Sequence, residues 1–211
     1  MRVDVWSDLV CPWCYIGKRR FETALAAFAH GSAVTVVHRA FQLDPTMPQG
    51  ELFRHRDVLM RKYGMTEAQV FASQERLARI AAEEGLEYHL AGTKTGNTLD
   101  AHRLVHYAEH DSQDRVVERL YRAHFTEGRS IFDHGSLVAL AEEAGLRGAE
   151  EVLTSDRYAD AVRSDHRQAN ALGANGVPFF VIDNRYGVSG AQEAGVFVEA
   201  LTRAWDESKA G

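Results

Sequence analysis

Segments with the side-chain pattern of β-strands occur only near the two ends of this 211-residue chain, with a long helical stretch between them. At the N-terminus Val3 and Val5 alternate with Arg2 and Asp4, and Trp6 is followed by polar Ser7-Asp8, so residues 2–6 read as a strand ending in a loop. From Pro12 the period changes: Phe21, Ala24, Leu25 and Phe28 fall at i, i+3, i+4 and i+7, the apolar stripe of a helix, which Gly31-Ser32 closes. Residues 34–41 are rich in β-branched side chains and read as a second strand. A strand-helix-strand order predicts a parallel pair with a right-handed crossover. At the other end, residues 179–183 and 186–189 read as strands joined by Asn184-Arg185. A last helix near 193–204 carries Val196, Phe197, Ala200, Leu201 and Ala204 on one face. Neither end holds enough strands for a stable sheet, so the two must combine into one α/β sheet.

Between the ends Glu, Arg, Ala and Leu dominate, and helices are expected near 52–63, 66–85, 99–110, 115–126, 135–144, 150–154 and 157–172. Thr66 with Gln69 three residues later has the form of a capping box. The expected organisation is a discontinuous α/β domain of 1–45 and 166–211, interrupted by an all-helical insertion at 46–165.

Composition narrows the function classes. With 45 % hydrophobic and 26 % charged residues the chain is neither disordered nor a disulfide scaffold. Its 24 basic against 30 acidic residues, net −6, lack the cationic excess that phosphate-backbone binding requires, so nucleic acid is not an expected partner. No run approaches the roughly 20 apolar residues that a bilayer span needs. Charges within the first eight residues interrupt what a signal peptide would keep apolar. A cytoplasmic location without a membrane partner is therefore expected.

Both cysteines lie in Cys11-Pro12-Trp13-Cys14, where the first strand gives way to the first helix. A C-x-x-C pair beside a strand-helix-strand pattern reads as a thioredoxin-like redox site. The helix N-terminus carries unpaired N–H groups and partial positive charge, which favour the reactive thiolate and point to Cys11 as the attacking sulfur. Pro12 suits the first helical turn because its missing N–H has no partner to lose there. Cys14, one turn further in, is placed to resolve a mixed disulfide and is expected to be less exposed. A zinc half-site would need two more ligands, and the chain offers ten histidines but no second C-x-x-C. Inert buried thiols are disfavoured because a strand-to-helix loop is a poor place to bury them. A proline also precedes the C-terminal hairpin, in Gly176-Val177-Pro178-Phe179-Phe180, a position that ordinary strand geometry permits.

Residues 6–18, Trp-Ser-Asp-Leu-Val-Cys-Pro-Trp-Cys-Tyr-Ile-Gly-Lys, resemble the opening of the DsbA-like thioredoxin family, in particular its FrnE-like branch. Residues 96–104 (Gly-Asn-Thr-Leu-Asp-Ala-His-Arg-Leu), 125–129 (Phe-Thr-Glu-Gly-Arg), 176–180 and 188–192 (Val-Ser-Gly-Ala-Gln) extend the match over essentially the whole chain. The resemblance implies a thioredoxin fold split by a helical domain, with Pro178 cis beside Cys11. It implies thiol–disulfide oxidoreductase activity on protein or small-molecule thiols and disulfides, by a monomer or homodimer. No cofactor is implied beyond the Cys11–Cys14 pair, with glutathione as a thiol partner, and no metal. By the same resemblance Pro12, Trp13, Val177 and Pro178 shape the substrate groove, Val177 through its backbone in the manner of strand addition. Asn97 and His102 are candidate substrate contacts from the helical domain. The periplasmic members carry His where this chain has Trp13, so the oxidising strength which that histidine confers is not implied here. Related proteins of the 2-hydroxychromene-2-carboxylate isomerase and kappa-class glutathione transferase type share the split fold and bind glutathione. They generally have serine in place of Cys11 and lack the resolving cysteine, which makes a glutathione-dependent isomerase or transferase the alternative. A module that only docks a partner is a third reading, separable because it would survive Cys11→Ser.

The remaining signals are weaker. His102, His106 and His110 recur every four residues along one expected helix, most simply as a partly exposed face. Asp8 suits a cap on the strand-to-helix turn, the alternative being that it holds a water or raises the thiol pKa by repulsion. Lys18, Arg19 and Arg20 read as a solvated polar run that also raises the positive potential near Cys11. Trp6, Trp13 and Tyr15 form an apolar landing surface for substrate, unless Trp6 is core and only Trp13 is exposed.

Overall fold

The computed structural model describes residues 1–209, with the side chains of 110 and 111 outside the description. In chain order the elements are β1 (Arg2–Ser7), α1 (Pro12–Ala27), β2 (Thr35–Ala40), β3 (Phe53–Arg54), α2 (His55–Tyr63), α3 (Glu67–Glu83), β4 (Lys94–Thr95), α4 (Leu99–Tyr107), α5 (His110–Phe125), α6 (His134–Glu143), α7 (Ala149–Leu153), α8 (Ala159–Ala171), β5 (Phe179–Ile182), β6 (Tyr186–Ser189) and α9 (Ala194–Lys209). They divide into two compact units, Met1–Leu43 with Val162–Gly211, and Asp44–Ala161.

The first unit is built on a four-stranded sheet in the order β2-β1-β5-β6. β1 runs parallel to β2, Val3 opposite Val36, and antiparallel to β5, Val3 opposite Ile182 and Trp6 opposite Phe179. The two ends of the chain thus share one sheet, joined through β1. Alternation sends Val3, Val5, Phe180, Ile182 and Val188 to one face, where Phe21 and Ala24 of α1 and Phe197, Leu201 and Ala204 of α9 cover them. Phe180 meets Phe21 and Phe197 at ring-centroid distances of 5.1 and 4.7 Å, in the tilted and edge-on arrangements aromatic pairs prefer. Trp6, Phe179 and Val181 line the other face with Phe41, Ala174 and Ala169 of α8. Val196, expected on the buried stripe of α9, is 43 % exposed; the stripe runs through Phe197, Leu201 and Ala204 instead. The β5–β6 turn spans residues 183–185, with Asp183 and Asn184 at φ 46° and 55° and the Arg185 N–H donating to the Ile182 carbonyl at 2.9 Å. Asp and Asn are the non-glycine residues that best tolerate this left-handed region.

Because both faces are covered, the polar residues buried on β1 and β2, Asp4 among them, need partners. Arg39 Nε donates to Asp4 Oδ1 at 2.7 Å, and its Nη1 reaches Asp165 Oδ1 of α8 at 3.3 Å. Asp165 also accepts the Ala40 N–H at 2.9 Å, and its carbonyl accepts Trp6 Nε1 at 2.9 Å. One α8 residue therefore serves β2, the indole of β1 and the half-buried Arg39 guanidinium.

The second unit is mainly helical and also holds a two-residue antiparallel ladder, Phe53 opposite Thr95 and Arg54 opposite Lys94. Strands this short leave no alternation to read. Thr66 caps α3 with the reciprocal Gln69 bond of a capping box. The expected helix 99–110 ends at Tyr107, Ala108 is extended, and α5 begins at His110. No Gly or Pro marks this break; the Glu109 carbonyl begins the new helix by accepting from Ser112 and Gln113 at 2.8 and 3.0 Å. The expected histidine stripe is thereby divided between two helices, and the His110 side chain lies outside the described residues. Among the described residues no group of three or more His, Cys, Asp or Glu is placed to hold a metal ion.

The 125–129 segment is held by charge-assisted forks. Arg119 donates to Glu127 at 2.6 Å and Glu143 at 2.7 Å, and Arg129 grips Glu143 at 2.9 and 3.0 Å. Arg129 first, then Arg119, hold the Glu143 carboxyl from its ordinary 4.5 down to about 2.

Two outcomes follow from these networks. Asp165→Ala leaves the buried Ala40 N–H without its acceptor and is expected to cost about 1–3 kcal/mol in urea unfolding at pH 7; an unchanged midpoint would contradict it. Glu143 has its carboxyl depressed by folding, so the stability it adds is present above about 4.5 and fades as pH falls towards about 2. Glu143→Gln should therefore be less stable than wild type at pH 7, with the gap closing across that window. A gap that stayed constant with pH would rule out this origin.

Candidate active site

The site grows from the C-terminal end of β1. Residues 8–10 turn the chain, the Cys11 N–H donates to the Asp8 carbonyl at 3.0 Å, and Cys11 becomes the N-cap of α1 in extended conformation. Pro12 takes the first helical position, where no backbone donor is required. The Cys14 N–H donates to the Cys11 carbonyl at 3.0 Å, closing the first turn between the two cysteines. Asp8, 1 % exposed, accepts the Leu43 N–H on Oδ2 at 2.7 Å and ties this turn to the chain leaving β2. Its carboxylate thus fastens a neighbouring segment.

Both thiols are free and buried, Cys11 6 % and Cys14 2 % exposed. The expectation that a strand-to-helix loop keeps cysteines open is corrected here: the segment preceding β5 folds over the loop. Cys11 Sγ donates to the Val177 carbonyl at 3.7 Å, a sulfur hydrogen bond across 166 positions of sequence. Val177–Pro178 is a cis peptide bond, and the Pro178 carbonyl accepts the Gly190 N–H at 2.8 Å. Cys11, Cys14, Val177 and Pro178 therefore meet in one place.

The two sulfurs differ in surroundings. Burial, then the hydrogen bond to Cys11, then the charges of Cys11 and Asp8 push the Cys14 thiol well above its ordinary range, opposed only by a bond to the Asp8 backbone. Cys14 is thus held as a protonated thiol at neutral pH.

The cations after the site do not form a solvated run. Lys18 and Arg20 are buried; Lys18 pairs with Glu22, and Arg20 reaches Glu193 at 2.7 Å and the Ala191 carbonyl at 2.9 Å. Arg19 pairs with Glu22 at 2.5 Å, so all three guanidinium or ammonium groups have carboxylate partners. Trp6 and Tyr15 belong to the core, and Trp13 alone of the three aromatics is exposed, at 38 %. Of the two candidates from the second unit, Asn97 has both ends of its carboxamide engaged, donating to the Met47 carbonyl at 2.6 Å and accepting from the Leu99 N–H at 2.9 Å. His102 is buried within α4.

Sequence reasoning gave no role to Gly17. A Cβ there would lie 2.8 Å from Pro178 Cγ and 3.3 Å from Ala191 Cβ, so the absent side chain is what lets α1 approach these loops. The available signal was an isolated glycine inside a helical pattern, which usually has a packing reason.

The unequal thiols give a direct expectation. Limited iodoacetamide at pH 8 on the reduced native protein should yield a single adduct on Cys11, with Cys14 modified only after unfolding, as read by peptide mass. Equal labelling of both would refute the asymmetry.

The chain matches the DSBA-like thioredoxin domain family over residues 2–202. It is 30 % identical over 214 residues to the uncharacterised protein YwbO of Bacillus subtilis, covering 99 % of this chain and 98 % of that one. The crystal structure of a probable DsbA oxidoreductase from Streptomyces coelicolor has a TM-score of 0.94 at 49 % identity, over 98 % of this chain and 91 % of that one. A 2-hydroxychromene-2-carboxylate isomerase (TM-score 0.75, 17 % identity, 100 % and 98 % covered) shares the fold, as does the cytosolic disulfide reductase DsbM from Pseudomonas aeruginosa (0.65, 21 %, 100 % and 98 %). The chain belongs to the DsbA-like family of thiol–disulfide oxidoreductases.

Proposed function

We propose that this protein exchanges disulfides with protein or small-molecule thiols through Cys11 and Cys14, with no cofactor beyond that pair. The observation that carries the reading is the inequality of two adjacent thiols. Cys11 heads the helix, while Cys14 is buried behind it and held protonated. In the reducing direction the Cys11 sulfur attacks a substrate disulfide, forming a mixed disulfide and releasing one substrate thiolate. Cys14 then loses its proton and attacks the Cys11 sulfur; the second substrate thiol leaves and the Cys11–Cys14 disulfide remains. The reverse sequence oxidises a substrate dithiol, and the direction follows the potential of the partner.

Substrate docking in this reading uses the segment before β5. The Val177 N–H has no hydrogen-bond partner among the described residues and stands one residue from Pro178, beside Cys11. An unpaired backbone donor next to the attacking sulfur suits an extended substrate chain that adds itself as a strand. Pro12 and the exposed Trp13 complete the apolar rim. Substrate contact by Asn97 and His102 is part of the reading on the strength of the resemblance. Among the described residues no helix is long and apolar enough to cross a membrane. A cytoplasmic setting, where thiols are kept reduced, would favour reduction or isomerisation over bulk oxidative folding.

Equilibration across glutathione redox buffers, followed by alkylation and mass measurement, tests this. A reversible two-electron transition between dithiol and Cys11–Cys14 disulfide is expected. Cys11→Ser should abolish it, and Cys14→Ser should accumulate a glutathione mixed disulfide on Cys11. Thiols that stay reduced throughout, or a stable non-covalent glutathione complex alone, would overturn the reading in favour of a glutathione-dependent isomerase or transferase.

A further inference from the structure

Cys11, Cys14 and Gly17 recur every third residue, so they follow one side of α1. Gly17 is where that side touches the loops of the C-terminal half. A Cβ on Gly17 would stand 2.8 Å from Pro178 Cγ, closer than real Cβ contacts come, and 3.3 and 3.4 Å from Cβ and Cα of Ala191. Pro178 cannot rotate aside, because its ring is closed onto the backbone nitrogen. Nor are the two loops free to yield separately. The Pro178 carbonyl accepts the Gly190 N–H at 2.8 Å, and the Ala191 carbonyl accepts Arg20 Nη1 at 2.9 Å from the next turn of the same helix. The two loops are thus fastened to each other and to α1, and the bare Gly17 sets how closely they lie.

One residue before this contact, Val177 presents its carbonyl to Cys11 Sγ at 3.7 Å. That bond needs the S–H proton and so exists only in the reduced protein; a Cys11–Cys14 disulfide has no proton to donate. Whatever holds Val177 against Cys11 stabilises the dithiol relative to the disulfide.

We propose that Gly17 is a positioning residue for the dithiol site: by seating Pro178 on α1 it holds the Val177 carbonyl on the Cys11 thiol and biases the Cys11–Cys14 equilibrium towards the reduced form. The inference rests on the dithiol reading above. A glycine inside a helix is otherwise unfavourable, and alanine would ordinarily strengthen α1. The contact with Pro178 is a reason for the helix to keep glycine there.

The test is a glutathione titration of wild type, Gly17→Ala, Pro178→Ala and the double variant. Losing one neutral hydrogen bond from the reduced form alone should move the Gly17→Ala equilibrium constant about three- to tenfold towards the disulfide. A purely structural role would lower the thermal midpoint of both redox forms and leave that constant in place. In the Pro178→Ala background, where the clashing ring is gone, adding Gly17→Ala should shift the constant less than about twofold, since the two changes act through one contact. The proposal is overturned by a wild-type equilibrium in folded Gly17→Ala, or by an equal shift in both backgrounds. Should Gly17→Ala fail to fold, recovery of folding in the double variant supports the contact, and failure of the double variant as well refutes it. A wild-type protein with no dithiol–disulfide transition would instead remove the dithiol reading itself, an outcome read before any variant is compared.

Discussion

The antiparallel pairing of β1 with β5 is the constraint from which the site follows. In an antiparallel pair the end of one strand lies beside the start of the other, and Trp6 near the end of β1 stands opposite Phe179, the first residue of β5. The loop that leaves β1 and the segment that enters β5 therefore depart from the same edge of the sheet. Cys11 is five residues past Trp6 and Val177 two residues before Phe179, so the pairing brings together groups from opposite ends of the chain. A parallel β1–β5 pair would have sent them to opposite ends of the sheet. β1 also pairs in parallel with β2, so one strand fixes both the entry to α1 and its cover.

Covering this sheet on both faces has an electrostatic consequence. The buried carboxylates of Asp4 on β1 and Asp165 on α8 must be matched, which the half-buried Arg39 of β2 does by bridging them into a chain. Leaving one member without its partner is costlier than the assembled chain is stabilising, because the desolvation of each group is offset only by its neighbour. The cysteines are likewise buried, under the segment that precedes β5.

Much of this was legible in the chain. The strands at both ends, the change to helical period at Pro12, the C-x-x-C pair and the proline before β5 are local patterns, and local patterns survive in sequence. The position of Cys14 behind Cys11 follows from helix geometry alone. What could not be read depends on partners distant in sequence. The pairing of Arg20 with Glu193, the tie from Asp8 to Leu43 and the contact of Gly17 with Pro178 each join residues that only the fold makes neighbours. The histidine stripe failed for the opposite reason: the helix boundary at Ala108 has no glycine or proline to announce it.

The surroundings of Cys14 also bear on the order of events in the proposed exchange. Burial, the hydrogen bond to Cys11 and the charge of Cys11 all hold its proton in place. A resolving thiol that ionised early would compete with Cys11 for the substrate, so protection suits the resting state. Once Cys11 is engaged in a mixed disulfide, the contributions that it makes to holding the Cys14 proton fall away. Burial remains, yet ionisation of Cys14 becomes easier at the step that needs it. In the proposed exchange the first half-reaction thus prepares the second, because both sulfurs sit on one turn of α1.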